Sequence, residues 1–360
     1  MTLIPSNSFI DFQQIVCSSL PNECSTKQHI IKGSRLQRIL APVESVEEDW
    51  RNTQRQMLKN KIYCSLYWYL LTKEQLRTNG FPRWTNRYKN CVSIELNYFD
   101  KQSGKKTYAE CGDLERKCAR CGKDYNLDRN GKVVKAACIY HPIPIKYIGP
   151  NVPKYNCCGE EIGAKGCTQA CSHVSDTRLE STLREFKQTE TPQSSLDPRT
   201  GNVYALDCES VYTVCGPEVA RITLVDIFGE TVLDCTFRPR NTIVDYNTRF
   251  SGLTRERVLG SRLRLSDAHA FLSHFINSET ILIGHGLDND LKALGVVHNK
   301  IVDTSILYPH WKGSPYKYGL KLLTKHILNR DIQQGSMGHD SREDAIATME
   351  LVLHKLGFGC

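Results

Sequence analysis

Between residues 46 and 76 apolar side chains return at three- and four-residue steps (Trp50, Met57, Leu58, Ile62, Leu66, Tyr69, Leu70), the period of a helix with one buried face. The aromatic run over residues 63–71 is expected to belong to the core. Thr72, with Gln75 three residues on, makes a capping box, and Asn79-Gly80-Phe81-Pro82 stops the helix. A second amphipathic helix is expected over residues 176–187, with Leu179, Leu183 and Phe186 on one face. Beyond residue 200 the period shortens to that of strands. Residues 203–208, 220–227 and 231–238 read as strands, followed by helices at 266–276 and 288–294, strands at 280–284 and 300–304, and helices at 318–328 and 341–356. Three hairpin-like strands followed by strand–helix repeats describe an α/β domain built on a mixed sheet.

The intervening stretches divide the chain. Residues 1–45 mix Ser, Pro and Asn without sustained periodicity and are expected to be a partly disordered lead-in. Residues 46–187 form a first domain, the polar Pro- and Ser-bearing stretch 188–198 a linker, and residues 199–360 the α/β domain. No run of apolar residues is long enough to span a bilayer, and the N-terminus has neither a basic start nor an apolar segment, so no membrane partner and an intracellular location are expected.

Charge sharpens this division. The net charge is +8, but residues 1–200 carry 30 Lys and Arg against 21 Asp and Glu, whereas residues 201–360 carry 17 against 18. Residues 51–150 alone hold 20 basic and 8 acidic side chains, which points to an anionic partner such as nucleic acid.

Eight of the 16 cysteines fall between Cys111 and Cys171. In a reducing compartment such a cluster binds metal more often than it forms bridges. Cys118 with Cys121, and Cys138 with His141, have the two-residue spacing that lets a knuckle present both side chains to one ion. Cys157, Cys158, Cys167 and His173 make a second set, with Cys171 as a substitute. Eight Cys and His ligands without a vacant position indicate structural zinc, one ion or two. The segments Cys138-Ile139-Tyr140-His141-Pro142, Tyr155-Asn156-Cys157-Cys158, Gly166-Cys167 and His173 resemble the CHORD-type zinc module, although that family's additional histidine is replaced by Tyr147.

The α/β domain carries its own chemistry. Asp207 and Glu209 are spaced by one residue at the end of a strand, so both carboxylates share a face and repel each other unless a cation lies between them. Asp290 opens a helix after a buried strand. His339 precedes the last helix, and Asp344 sits on that helix's first turns. Four carboxylates and one histidine can therefore converge at one end of the sheet.

The order Asp-x-Glu, Gly-His-x-Leu-x-x-Asp and His-x-x-x-x-Asp resembles the DEDDh exonucleases, and closely the GOR-antigen-like RNA exonuclease family. The likeness extends through residues 204–209, 244–252, 281–285, 302–305, 315–317 and 338–344. It implies an RNase H-like mixed-sheet exonuclease domain, preceded by a small zinc-stabilised α+β domain. It also implies 3′→5′ hydrolysis of single-stranded RNA 3′ ends to nucleoside 5′-monophosphates in RNA processing or decay, and a nuclear location. Asp207, Glu209, Asp290 and Asp344 would hold two Mg²⁺ or Mn²⁺ ions, and His339 would be the general base. Asn247, Thr248, Phe250 and Gly252 match a family block read as a substrate-side wall, where Phe250 could stack on a terminal base. Asp303 and His285 are expected to be structural. The family commonly has Met after the Asp-x-Glu pair, where this chain has Ser210. Two further readings stay open: a DNA 3′→5′ exonuclease, and a non-catalytic zinc adaptor that binds RNA or protein.

Overall fold

Alternating apolar residues build the central sheet from β1 (Val203–Thr213), β2 (Gly216–Asp226), β3 (Thr231–Thr236), β4 (Ile243–Asp245), β5 (Ile281–Gly284) and β6 (Ile301–Asp303). The strand order is β3-β2-β1-β5-β6, with β4 against the far end of β1. β1, β2 and β3 are antiparallel neighbours, while β5 runs parallel to both β1 and β6. This is the mixed α/β arrangement that the succession of hairpins and strand–helix repeats predicts. It is a computed structural model that describes residues 37–84, 91–95, 107–110, 112–134, 136–143, 145–146, 153–335 and 338–358. Residues 1–36 of the expected lead-in, Cys111 and Tyr147 lie outside the described residues.

The chain divides into two units, Met1–Arg55 and Gln56–Cys360. The first ends within α1 (Gln37–Leu66), whose Trp50 is exposed rather than packed. The second contains the sheet, and its helices cover both faces. On one face Leu206, Ile222 and Leu224 pack with α2 (Leu265–Phe275) and α3 (Asp288–Leu294) through Phe271, Leu272, Leu287 and Leu291. On the other, Val203, Ala205, Val225 and Ile283 pack with Ala345, Met349 and Val352 of α5 (Ser341–Lys355) and with Ile62 and Leu66 of α1. α4 (Leu320–Leu328) lies against α5 through Leu323 and Leu351. Both sheet faces are thus sealed by apolar side chains, and only the ends of the strands are left for polar chemistry.

Several expectations need correction. The helix read over 46–76 stops at Leu66, because Leu70 is extended and Leu71 N donates to Ile301 O on the sheet edge (2.8 Å). A separate short helix, Lys73–Thr78, then starts from the Thr72–Gln75 capping box as read. The aromatic run is core only in part: Tyr63 and Tyr69 pack against the cluster that holds Leu66, whereas Tyr67 is exposed and Trp68 is 90% exposed. The helix expected over 176–187 does not form. Arg178–Leu179 pairs in parallel with Tyr108–Ala109, Glu180–Arg184 is a 3-10 turn, and Lys187–Gln188 pairs with Val296–Val297. Phe186 and Leu183 still bury one face, against Val92 and Val297, so their spacing was satisfied by docking rather than by a helix. The polar stretch 188–198 is tied down as well, with Thr189 N donating to Val297 O and Ser278 N to Glu190 O.

His298 anchors this edge. Fully buried, it has Nε2 2.9 Å from Thr280 O and Nδ1 3.0 Å from the Thr189 hydroxyl. Burial pushes its pKa down from 6.5 to about 4. The unfolded chain binds the proton first, so the stability His298 contributes is complete above pH 6.5 and is lost as pH falls toward 4. We expect a loss of about 3 kcal/mol across that window, at about 1.4 kcal/mol per pKa unit. Urea denaturation at pH 7 and pH 4 measures it, and His298→Leu should be less stable at pH 7 with a flatter pH dependence.

Candidate active site and cysteine–histidine clusters

On β1, residues 203, 205, 207 and 209 alternate onto the face covered by α5. The first two are apolar and close the core; the next two are Asp207 and Glu209. The register slips between Glu209 and Ser210, a bulge that re-aims the chain just past the second carboxylate. Opposite Glu209 stands Arg221 of β2, buried, with bidentate bonds to Asp234 (2.8 Å each) and a third to Asp340 (2.8 Å). Asp340 is the N-cap of α5, and Thr223 of β2 meets Ser341 hydroxyl to hydroxyl at 2.6 Å. β2 therefore fixes the start of α5, and with it Asp344.

Asp290 is placed by a different device. Asp303, at the end of β6, accepts from Gly286 N (3.0 Å), Leu287 N (2.9 Å), Ser305 N (2.9 Å) and the Ser305 hydroxyl (2.6 Å). That network pins the turn into α3, as expected of a structural carboxylate. His285 faces inward onto the Thr304 hydroxyl (2.9 Å).

The electrostatics show that the carboxylates share one site. Burial raises the pKa of Asp207 well above the usual range, with repulsion from Asp290, Glu209 and Asp344 adding to it. Burial and then Asp344 and Asp290 push Glu209 up to about 9. Asp344 rises to about 6 through burial, against an amide that holds it. Burial raises Asp290 too. Among the described residues, the buried Oδ2 of Asp207 has no hydrogen-bond partner.

The holding amide belongs to Gln333, which sequence reasoning did not find. Its Nε2 donates to both oxygens of Asp344 (3.0 and 2.9 Å), its backbone N donates to Glu343, and its φ is +55°. A left-handed non-glycine residue leaves no mark in a sequence. His339 Nδ1 lies 3.6 Å from Asp344 Oδ2, and burial lowers the His339 pKa.

A cleft of about 350 Å³ opens beside Glu209 and Asp290, lined also by Cys208, Ser210, Asn247 and Asn289. Of the expected wall, Asn247 faces it. Thr248, Phe250 and Gly252 instead shape the loop: the Thr248 hydroxyl donates to Leu253 O, and Phe250 O accepts from His339 N (2.7 Å).

Upstream, two tight Cys and His groups form, each with all ligand atoms within 4.8 Å: Cys118, Cys121, Cys138 and His173, and His141, Cys157, Cys158 and Cys167. The histidines are exchanged relative to the expected sets. Cys138–Tyr140 is a strand paired antiparallel with Thr168–Ala170, Cys138 opposite Ala170 and Tyr140 opposite Thr168. An extended Cys-x-x-His cannot return to one ion as a turn does, so Cys138 and His173 share one end of this ribbon and His141 and Cys167 the other. The Sγ–Sγ separations of 3.7 Å (Cys118–Cys138) and 3.5 Å (Cys157–Cys167) match the edge of about 3.7 Å expected for a tetrahedron with 2.3 Å metal–sulfur bonds. His141 Nε2 bonds Ala164 O (3.0 Å), and its ring stacks on Tyr155 at 3.5 Å, leaving Nδ1 for the thiols. Among the described residues, the carboxylates are set wider: no three bring oxygens within 4.8 Å of one another.

The chain is similar to several known proteins. The ElonginA binding-protein 1 family profile matches residues 18–97. The chain is 39% identical to human RNA exonuclease 1 homolog over 299 residues, 82% of this chain and 24% of that protein. It is 38% identical to chimpanzee exonuclease GOR over 299 residues, 82% and 42% respectively. It is also 38% identical to RNA exonuclease 3 of Eremothecium gossypii over 278 residues, 74% of this chain and 69% of that protein. The chain thus spans about a quarter of the first of these and under half of the second. The catalytic unit of Neurospora crassa Pan2 superimposes with a TM-score of 0.40 at 28% identity, covering 47% of this chain and 28% of that one, too distant to add to the sheet order.

The loop beside His339 depends on Gly338. Its φ is +93°, and a Cβ there would stand 2.3 Å from Gly252 N and 2.5 Å from Thr248 O. Gly338→Ala should destabilise the chain by about 2 kcal/mol or more, read as a lower thermal midpoint; an unchanged midpoint would show that the two loops are not packed together.

Proposed function

The chain belongs to the GOR-type RNA exonuclease family, and from that premise we propose that it is a metal-dependent 3′→5′ exoribonuclease of the DEDDh class on an RNase H-like sheet. The observation that carries this is the set of four carboxylates: Asp290, Glu209 and Asp344 all act on Asp207, Glu209 and Asp290 line the cleft, and a buried oxygen of Asp207 is left unpartnered among the described residues. Such oxygen donors suit hard divalent cations, and Asp207, Glu209, Asp290 and Asp344 would hold two Mg²⁺ or Mn²⁺ ions. When bound, these ions supply charge neutralisation at the phosphate and an acidified water.

The remaining work falls to the chain's own groups. His339, its pKa lowered by partial burial and its backbone fixed by the bond to Phe250 O, takes the proton of the attacking water at its imidazole nitrogen. Gln333 and Arg221 keep Asp344 and the start of α5 in place. Asn247 orients the terminal nucleotide from across the cleft, beside Ser210. The Cys118 and His141 groups each hold one structural zinc, and the basic side chains of residues 51–150 contact phosphates without choosing sequence.

A 5′-labelled single-stranded RNA with Mn²⁺ should give a ladder of 3′-shortened products. Asp207→Asn should slow it on the order of a thousandfold. RNA left intact by the unaltered chain would sink the reading, and equal loss of a DNA strand would widen it to both sugars. Metal analysis should find about two zinc ions per chain, with His173→Ala and His141→Ala each losing one; a single ion in the unaltered chain would contradict the two-site assignment.

A further inference from the structure

Among the described residues, arginines in the interior are paired, with one exception. Arg120 donates to Asp245, Arg199 to Asp197, Arg221 to Asp234 and Asp340, and the buried Arg116 to two backbone carbonyls. Arg178, half-buried, has no side-chain hydrogen bond or ion pair among the described residues, although it lines the same cleft as Glu209 and Asp290. Its surroundings push its pKa down, as burial does to a cation that lacks a contact partner. Asp176 and Asp288 attract it only at range, and Asp288 is already paired with Lys292 at 2.6 Å.

The position is built rather than incidental. Arg178 N donates to Thr107 O (2.9 Å), and residues 178–179 pair with 108–109. The stem crosses Gly216, where a Cβ would come within 3.3 Å of the Arg178 Cγ and 2.6 Å of Thr177 O. Lys117, the residue before Cys118, lines the same cleft and has no ion pair among the described residues. Two cations anchored next to the Cys118 and His173 cluster therefore look into a cleft that also holds Asp176, Glu209 and Asp290, its third cation, Lys292, being paired with Asp288.

We propose that Arg178, seconded by Lys117, is an anion subsite of this cleft that grips a phosphate of a single-stranded nucleic acid other than the one being cleaved. A planar guanidinium with its fork free suits bidentate phosphate recognition, and none of the four carboxylates engages it. The inference rests on the nuclease reading for its ligand. Its physical content is that the segment after the cysteine cluster supplies a specific phosphate contact beyond the general basic surface.

The test uses the full chain and Arg178→Ala, Arg178→Lys and the exposed-residue control Arg262→Ala, outside the basic stretch 51–150, with two substrates. One is a 5′-labelled single-stranded RNA; the other is thymidine 5′-(p-nitrophenyl phosphate), which has no second phosphodiester. Arg178→Ala should raise KM for RNA about tenfold, the share of one charged contact, with kcat nearly unchanged. It should leave turnover of the short reporter unaltered. RNA binding on an Asp207→Asn background should lose about 0.7 from the slope of log affinity against log salt, the share of one phosphate on a single strand. Arg178→Lys should keep the slope with a smaller rise in KM, and Arg262→Ala should behave as the unaltered chain. KM and slope unchanged in Arg178→Ala would overturn the subsite, as would an equal loss on the reporter, which would place Arg178 at the scissile group. Should Arg178→Ala lose thermal stability or zinc, Arg178→Gln keeps the stem, and its salt slope decides in the same way. An unaltered chain inert on both substrates counts against the nuclease reading, while the binding slope still decides the subsite.

Discussion

Like charges in a confined space set the terms for the rest of this structure. Asp207, Glu209, Asp290 and Asp344 arrive from one strand and two helices at a site where burial already disfavours the ionised form, and Asp290 and Asp344 raise Asp207 and Glu209 further. An arrangement of that kind collapses outward unless the elements that bear it are fixed by something stronger than the repulsion. Arg221 is that fixture on one side. Its guanidinium binds Asp234 of β3 and the cap residue of α5, so three elements are pinned by one buried cation facing Glu209. On the other side Asp303 ties the entrance of α3 to the end of β6 with two hydrogen bonds and is itself held by two more from Ser305. The sheet's apolar faces do the rest by holding strands and helices at close-packed distances.

What could be read from the sequence follows from this division. The carboxylates and His339 were legible because their spacing is local: Asp207 and Glu209 share a strand face, and His339 and Asp344 bracket a helix start. The α/β order was legible because periodicity survives tertiary packing. Arg221 and Gln333 were not, since each acts on residues distant in sequence, and nothing local separates a structural arginine from a surface one. The histidine exchange between the two cysteine groups has the same origin. Cys138 and His141 have the spacing of a knuckle, but the residues between them pair with 168–170, and an extended strand sends the two ligands to opposite ends. The helix expected over 176–187 failed for a related reason: Leu183 and Phe186 meet helical spacing, while partner strands at 108–109 and 296–297 claim the flanking backbone.

The cysteine-rich segment is joined to the cleft through one side chain. Arg120, between Cys118 and Cys121, donates to Asp245 at 2.8 Å and approaches Asn247 Oδ1 at 3.4 Å, with the rings of Tyr140 and Tyr212 within 5.5 Å of its guanidinium. Its side chain is only 10% exposed, so solvent screens this pair less than a surface one. Asp245 in turn receives Asn247 N at 2.6 Å, which helps hold Asn247 in its left-handed conformation at the cleft. The cysteine turn and the residue facing the carboxylates are thus two ends of one short chain of contacts. Whatever free energy orders the turn also orders Asn247, and by reciprocity a ligand that orders Asn247 tightens the turn. A Cys and His cluster at this place is therefore part of how the cleft keeps its shape, which explains why a module with no reactive group of its own sits against a site made of carboxylates.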